Sequence, residues 1–157
     1  GFTVTRPATV FVPEFQQTMG YEVGAALGAA LGAPGRSVVA VVGDGSLAMT
    51  LGELATLAAE RPPLTVVVFN DGVYNALRVR QEAVHAGRYV GTDLGTLDFA
   101  QVARGLGLRA ERVNSTEHLR ARLAEVANPI APLLLDVPIT PAPLSERYAA
   151  VIEASRA

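Results

Sequence analysis

The chain has 157 residues, half of them hydrophobic and 18% charged, with a formal net charge of −2 and no cysteine. One domain of that length buries a real core. The charge balance offers no footprint for nucleic acid, and the missing thiols exclude disulfides, thiolate metal sites and cysteine nucleophiles, in keeping with a reducing cytoplasm. The apolar excess points to surfaces reserved for partners, at least a homodimer.

In chain order, Thr9–Val12 reads as a short strand and residues 16–33 as a helix of small residues ended by Ala-Pro-Gly. Gly20, Gly24, Gly28 and Gly32 recur along it, a spacing expected to pack closely against the sheet or a partner helix rather than in a membrane. The uncharged run from Val23 ends at Pro34, too short for the ~20 residues that span a bilayer, so no membrane partner is expected. Val38–Val42 is a fully apolar strand, and Ser46–Glu60 has helical periodicity with Ser46 as cap. Leu64–Phe69 is a second apolar strand, followed by a polar loop and a helix from Asn75 to about Val84. Leu97–Gly107 is an amphipathic helix with a glycine stop, and Arg109–Val113 a modest strand. Ser115–Asn128 opens on a cap and carries a Leu-Leu-Val stripe, Pro132–Ile139 is the last strand, and the Pro-rich tail turns helical from Ser145. Near-continuous apolar strands alternating with helices predict an α/β fold, a doubly wound, mainly parallel sheet covered on both faces. The domain is expected over 16–140, with 1–15 a linker or edge segment and 141–157 a tail.

The two apolar strands end alike, "VVAVVGDGS" and "TVVVFND". In such sheets ligands bind at the carboxyl ends of strands. Asp44 and Asp71 are one strand–helix–strand unit apart, and neighbouring strands lie ~4.8 Å apart. Two carboxylates that close repel unless a cation sits between them, and Mg²⁺, with hard oxygen ligands at ~2.1 Å and substrate phosphates completing its shell, suits the place. Gly43 and Gly45 leave Asp44 bare of neighbouring side chains, and the first amides after Ser46 offer an anion site. Either motif alone is an ordinary turn former; the pair in register favours a metal holding a diphosphate.

These residues resemble the diphosphate-binding domain of the thiamine-diphosphate-dependent enzymes, whose signature is GDG, one βα unit, then Asn-Asn or Asn-Asp. "TMGYEVGAALGAAL" is similar to the Gly-rich helix before that motif. "GELATLAAERPPLTVVVFNDGVYNALRVRQE" and "GRYVGTDLGTLDFAQVARGLG" resemble the acetolactate synthase and benzoylformate decarboxylase branch.

The resemblance implies thiamine diphosphate and Mg²⁺ as cofactors, with Asp44, Asp71 and the Val73 carbonyl as metal ligands. Many members carry Asn where this chain has Asp71. It also implies that Gly43, Gly45 and Ser46 cradle the diphosphate while Tyr74 and Asn75 lie along it; Asn75 often aligns with Gly. Met19 props the bent cofactor, the Gln17 carbonyl meets the aminopyrimidine, and Ala76 and Leu77 line the substrate pocket. The family's activating glutamate belongs to a separate pyrimidine-binding domain, and none of Glu14, Glu22, Glu53 and Glu60 falls at its position. The chain is thus expected to hold no catalytic residue and to be inactive alone. It would be part of a lyase or transferase acting on a small 2-oxo acid, either cut from a larger enzyme, the favoured reading, or the subunit of a split enzyme such as sulfopyruvate decarboxylase.

The remaining residues read more plainly. His85 and His118 are expected at the surface, and Arg78 and Arg80 on a solvated helix face. No dinucleotide fingerprint follows a strand and no hydrolase triad motif is present. A flavodoxin-like signalling domain is the rival reading, opposed by the lack of a lysine in that context; a degenerate interaction domain is a third.

Overall fold

The computed structural model describes residues 9–13, 16, 18–126 and 131–141. Its elements run α1 (Tyr21–Gly32), β1 (Val38–Gly43), α2 (Asp44–Met49), α3 (Glu53–Glu60), β2 (Leu64–Asn70), α4 (Asn75–His85), α5 (Phe99–Gly105), β3 (Arg109–Arg112), α6 (Thr116–Glu125) and β4 (Leu133–Pro138). The four strands form one parallel sheet in the order β1-β2-β4-β3.

The pleat sends alternate residues to opposite faces, and each face has its own core. Ala40, Val42, Val66, Val68 and Leu134 pack with Val23 and Leu27 of α1, Leu54 and Leu57 of α3, and Phe99 and Ala103 of α5. Val67, Leu133, Leu135 and Val137 meet Val113, just past β3, and Leu119 of α6 on the other face. β2 and β4 are therefore covered from both sides, as an α/β reading requires.

Four expectations change. Residues 9–13 are described without strand structure, and Val10, Phe11 and Val12 are exposed. The single helix expected over Ser46–Glu60 is two, because Thr50 leaves helical geometry at φ −131° and ψ 32°, just before Gly52. The cap of α2 is Gly43 rather than Ser46, which lies inside the helix. The strand β1 is at the sheet edge and is buried on one side only: Val39 is 45% and Val41 56% exposed, since no described element covers them.

Of the two packings expected for the α1 glycines, against the sheet or against a partner helix, the first is not found. The sheet side of the helix is Val23, Ala26, Leu27 and Ala30, whereas Gly24, Gly28 and Gly32 are exposed and a methyl group on any of them would meet nothing within 4 Å. They do not pack on the sheet. The predicted tail helix from Ser145 lies outside the described residues.

Candidate functional site

Register places the motif. Val38 pairs with Leu64 and Gly43 with Phe69 along two adjacent parallel strands, so the chain leaves β1 at Asp44 and β2 at Asp71 on the same edge of the sheet. Asp44 is 5% exposed and opens α2, where a carboxylate suits the positive end of the helix. One of its oxygens, Oδ1, accepts the N–H of Gly45 at 2.7 Å. The other, Oδ2, reaches across to the second strand and accepts the N–H of Gly72 at 2.6 Å. Gly72 turns its amide that way from a left-handed backbone, φ +75°, that an L side chain resists.

Asp71 bends back on its own loop. Its Oδ1 accepts the N–H of Val73 at 3.2 Å. Burial raises the Asp71 carboxyl above its ordinary value, the Val73 hydrogen bond opposes that, and the nearby negative charge of Asp44 raises it further. Two acids thus meet over the short loop Asp71–Val73. Among the described residues no set of three or more His, Cys, Asp or Glu side chains forms a metal cage. The available donor set is two carboxylates and backbone carbonyls, all hard oxygens of the kind Mg²⁺ selects.

A strip that sequence reasoning passed over holds this loop. Leu94 N–H donates to the Gly72 carbonyl at 2.9 Å, Tyr74 N–H to the Thr92 carbonyl at 2.8 Å, and Val73 bridges Asp93 in antiparallel fashion. Gly91 and Gly95, both at positive φ, bracket the strip and were the visible signal. Arg78 fastens it from α4, its guanidinium 3.1 Å from Asp93 Oδ1 and 4.4 Å over the Tyr89 ring. That arginine is engaged by its own chain, while Arg80 is exposed as expected.

The other predicted residues sort as follows. Gly43, Gly45 and Ser46 flank Asp44 at the turn from β1 into α2, and Gly45 lies directly under Tyr74: a Cβ there would sit 2.4 Å from the ring's Cε1. Tyr74 caps α4 and Asn75 begins it. Ala76 and Leu77 are exposed in its first turn. Met19 is exposed beside Gly20, whose N–H donates to Ser46 Oγ at 2.6 Å. Gln17 and Glu14 lie outside the described residues. The fold therefore brings Met19, Gly43, Asp44, Gly45, Ser46, Asp71, Val73, Tyr74 and Asn75 to one rim.

Asn70, the first letter of the "ND" pair, has a different job. Its Nδ2 donates to the Leu97 carbonyl and to Asp136 Oδ1, both at 2.9 Å, and Arg112 pairs with Asp136 Oδ2 at 2.9 Å. It braces β2 to β4 and to the entry of α5. His85 is exposed, and His118 is half-buried with Nε2 3.1 Å from Glu111. A separate groove of about 500 Å³, lined by Phe69, Val113, Leu119 and Val137 among others, holds none of the predicted site residues.

Known proteins resemble this chain in sequence and in fold. The profile of the family described as thiamine pyrophosphate enzyme, C-terminal TPP binding domain, matches residues 1–137. The chain is 36% identical over 122 residues to the acetolactate synthase large subunit of Parasynechococcus marenigrum, covering 76% of this chain and 20% of that protein. It is 31% identical over 138 residues to the acetolactate synthase of Bacillus subtilis, covering 88% and 24%. Against the 3D-(3,5/4)-trihydroxycyclohexane-1,2-dione hydrolase of Halalkalibacterium halodurans it is 30% identical over 148 residues, covering 90% and 23%. The crystal structure of benzoylformate decarboxylase from Polynucleobacter necessarius superposes with a TM-score of 0.75 at 27% identity, over 82% of this chain and 25% of that one. The chain spans about a fifth to a quarter of the length of these relatives. With a family profile over most of its length, the chain belongs to the C-terminal thiamine-pyrophosphate-binding domains of the thiamine pyrophosphate enzymes.

Proposed function

We propose that this chain is the diphosphate-holding module of a 2-oxo-acid decarboxylase or carboligase, binding thiamine diphosphate through Mg²⁺. The observation that carries the reading is the hydrogen bond from Gly72 N–H to Asp44 Oδ2, which sets the first acid onto the loop of the second. Asp44, Asp71 and the Val73 carbonyl would hold the cation, whose charge offsets the mutual repulsion of the two acids. Gly43, Gly45 and Ser46 would flank the diphosphate, with Tyr74 and Asn75 alongside. Met19 would support the thiazolium ring and Gln17 the aminopyrimidine; Ala76 and Leu77 would face substrate.

When bound, thiamine diphosphate would supply an electron sink. This chain's own part is to neutralise, orient and hold. The activating glutamate would come from a pyrimidine-binding domain in another domain, subunit or protomer, so the chain alone is expected to bind cofactor weakly and to turn over no substrate. A cytoplasmic homo-oligomer fits the cysteine-free composition and the exposed apolar side chains Val39, Val41 and Leu77.

Titration calorimetry of the chain with thiamine diphosphate, with and without Mg²⁺, tests the reading. Binding should require the metal and vanish in Asp44→Ala. Equal binding in EDTA would overturn it.

A further inference from the structure

Ser46 is the one member of the cradle whose side chain is already engaged by the first turn of α1. Its Oγ accepts the N–H of Gly20 at 2.6 Å and donates to Glu22 Oε2 at 2.8 Å. A hydroxyl carries a single proton. With that proton given to a carboxylate, Ser46 has none to offer an anion, and a diphosphate, which only accepts, would meet its backbone instead. The first bond ties Gly20 to α2 and the second ties Glu22 to it; Gly20 sits at φ +87°, where a Cβ would lie 2.6 Å from Thr50 Cγ2. Met19 precedes it in the chain, so Glu22, Ser46 and Gly20 form a strap between the cradle and the segment that would support the thiazolium ring.

We propose that Glu22 is a positioning residue of the cofactor site: by holding the Ser46 proton it fixes the Met19–Gly20 turn against the diphosphate cradle. The inference rests on the functional reading above and adds to it a residue that touches neither metal nor cofactor. Its consequence is a separation of two affinities. Inorganic pyrophosphate with Mg²⁺ senses the cradle alone, whereas thiamine diphosphate with Mg²⁺ senses the cradle and the Met19 turn together.

The test uses the 157-residue chain, its Glu22→Ala variant and its Glu22→Gln variant, whose amide oxygen still accepts from Ser46. Calorimetry measures both ligands, and hydrogen exchange follows the Gly20 amide without ligand. In Glu22→Ala, thiamine diphosphate affinity should fall roughly tenfold, the size of one charge-assisted hydrogen bond. Pyrophosphate affinity should hold or rise, because Ser46 regains a proton to donate, and Gly20 exchange should quicken. Glu22→Gln should restore most of the thiamine diphosphate affinity and slow the exchange again. Equal losses for both ligands, unchanged affinities, or a Glu22→Gln variant no better than Glu22→Ala would overturn the inference while leaving the functional reading intact. A wild-type chain that binds neither ligand in a Mg²⁺-dependent way would overturn both.

Discussion

Replacing Gly45 with alanine would drive a methyl group into the ring of Tyr74. The new Cβ would lie 2.4 Å from Cε1, 2.7 Å from Cδ1 and 3.4 Å from Leu94 Cδ1. Carbon atoms in good contact sit ~3.5–4.0 Å apart, so the ring must retreat by more than an ångström. Tyr74 cannot retreat freely, because its own N–H is held by the Thr92 carbonyl and it caps α4. Overpacking of this kind costs ~1–3 kcal/mol. Alanine also gains ~0.5–1 kcal/mol over glycine within a helix, and Gly45 is not at positive φ. The net loss is expected at about 0–2.5 kcal/mol, with a larger effect on binding because the displaced ring borders the cradle. Chemical denaturation of Gly45→Ala, Tyr74→Ala and the double variant isolates the clash. Once the ring is gone, the added methyl should be neutral or stabilising, giving a coupling of about 1–3 kcal/mol. A coupling near zero would refute the steric argument.

Three further outcomes are expected. Asp71→Asn removes an acid whose ionised form is disfavoured by burial and by Asp44, so the metal-free chain should melt slightly higher at pH 7 while Mg²⁺ affinity falls roughly tenfold; a lower melting temperature without metal would contradict this. Arg112→Ala strips a partner from Asp136, which is fully buried and keeps only its Asn70 bond among the pairs described above, and should cost about 2–3 kcal/mol in urea unfolding, most of it recovered by adding Asp136→Asn. Glu111 is raised by burial, but its bonds to His118 and Arg122 and their charges outweigh that and leave it below the ordinary carboxylate range. Its stabilising contribution is therefore present at neutral pH and lost as pH falls through that depressed value, so Glu111→Gln should cost about 0.5–1 kcal/mol at pH 7 and flatten the loss of thermal stability below about pH 4.5.

Much of the fold was legible because it is written in local patterns. The β-branched runs at Val38 and Leu64, the Ser115 cap and the glycine stop at Gly107 act over a few residues, and each element they announce is found within a few positions of its expected place. The two acids at the strand tips were legible for the same reason, since strand ends and motif coincide. What sequence could not decide depends on residues far apart in the chain. The edge position of β1 follows from the order in which strands pair. Asn70 became a brace because Asp136, 66 positions away, arrived beside it. The strip at Thr92–Leu94 and the bond from Ser46 to Glu22 are of the same kind. Periodicity and capping record what a segment gains from its own neighbours, whereas a hydroxyl's or an amide's choice of partner is made only when packing removes water and leaves one acceptor within reach.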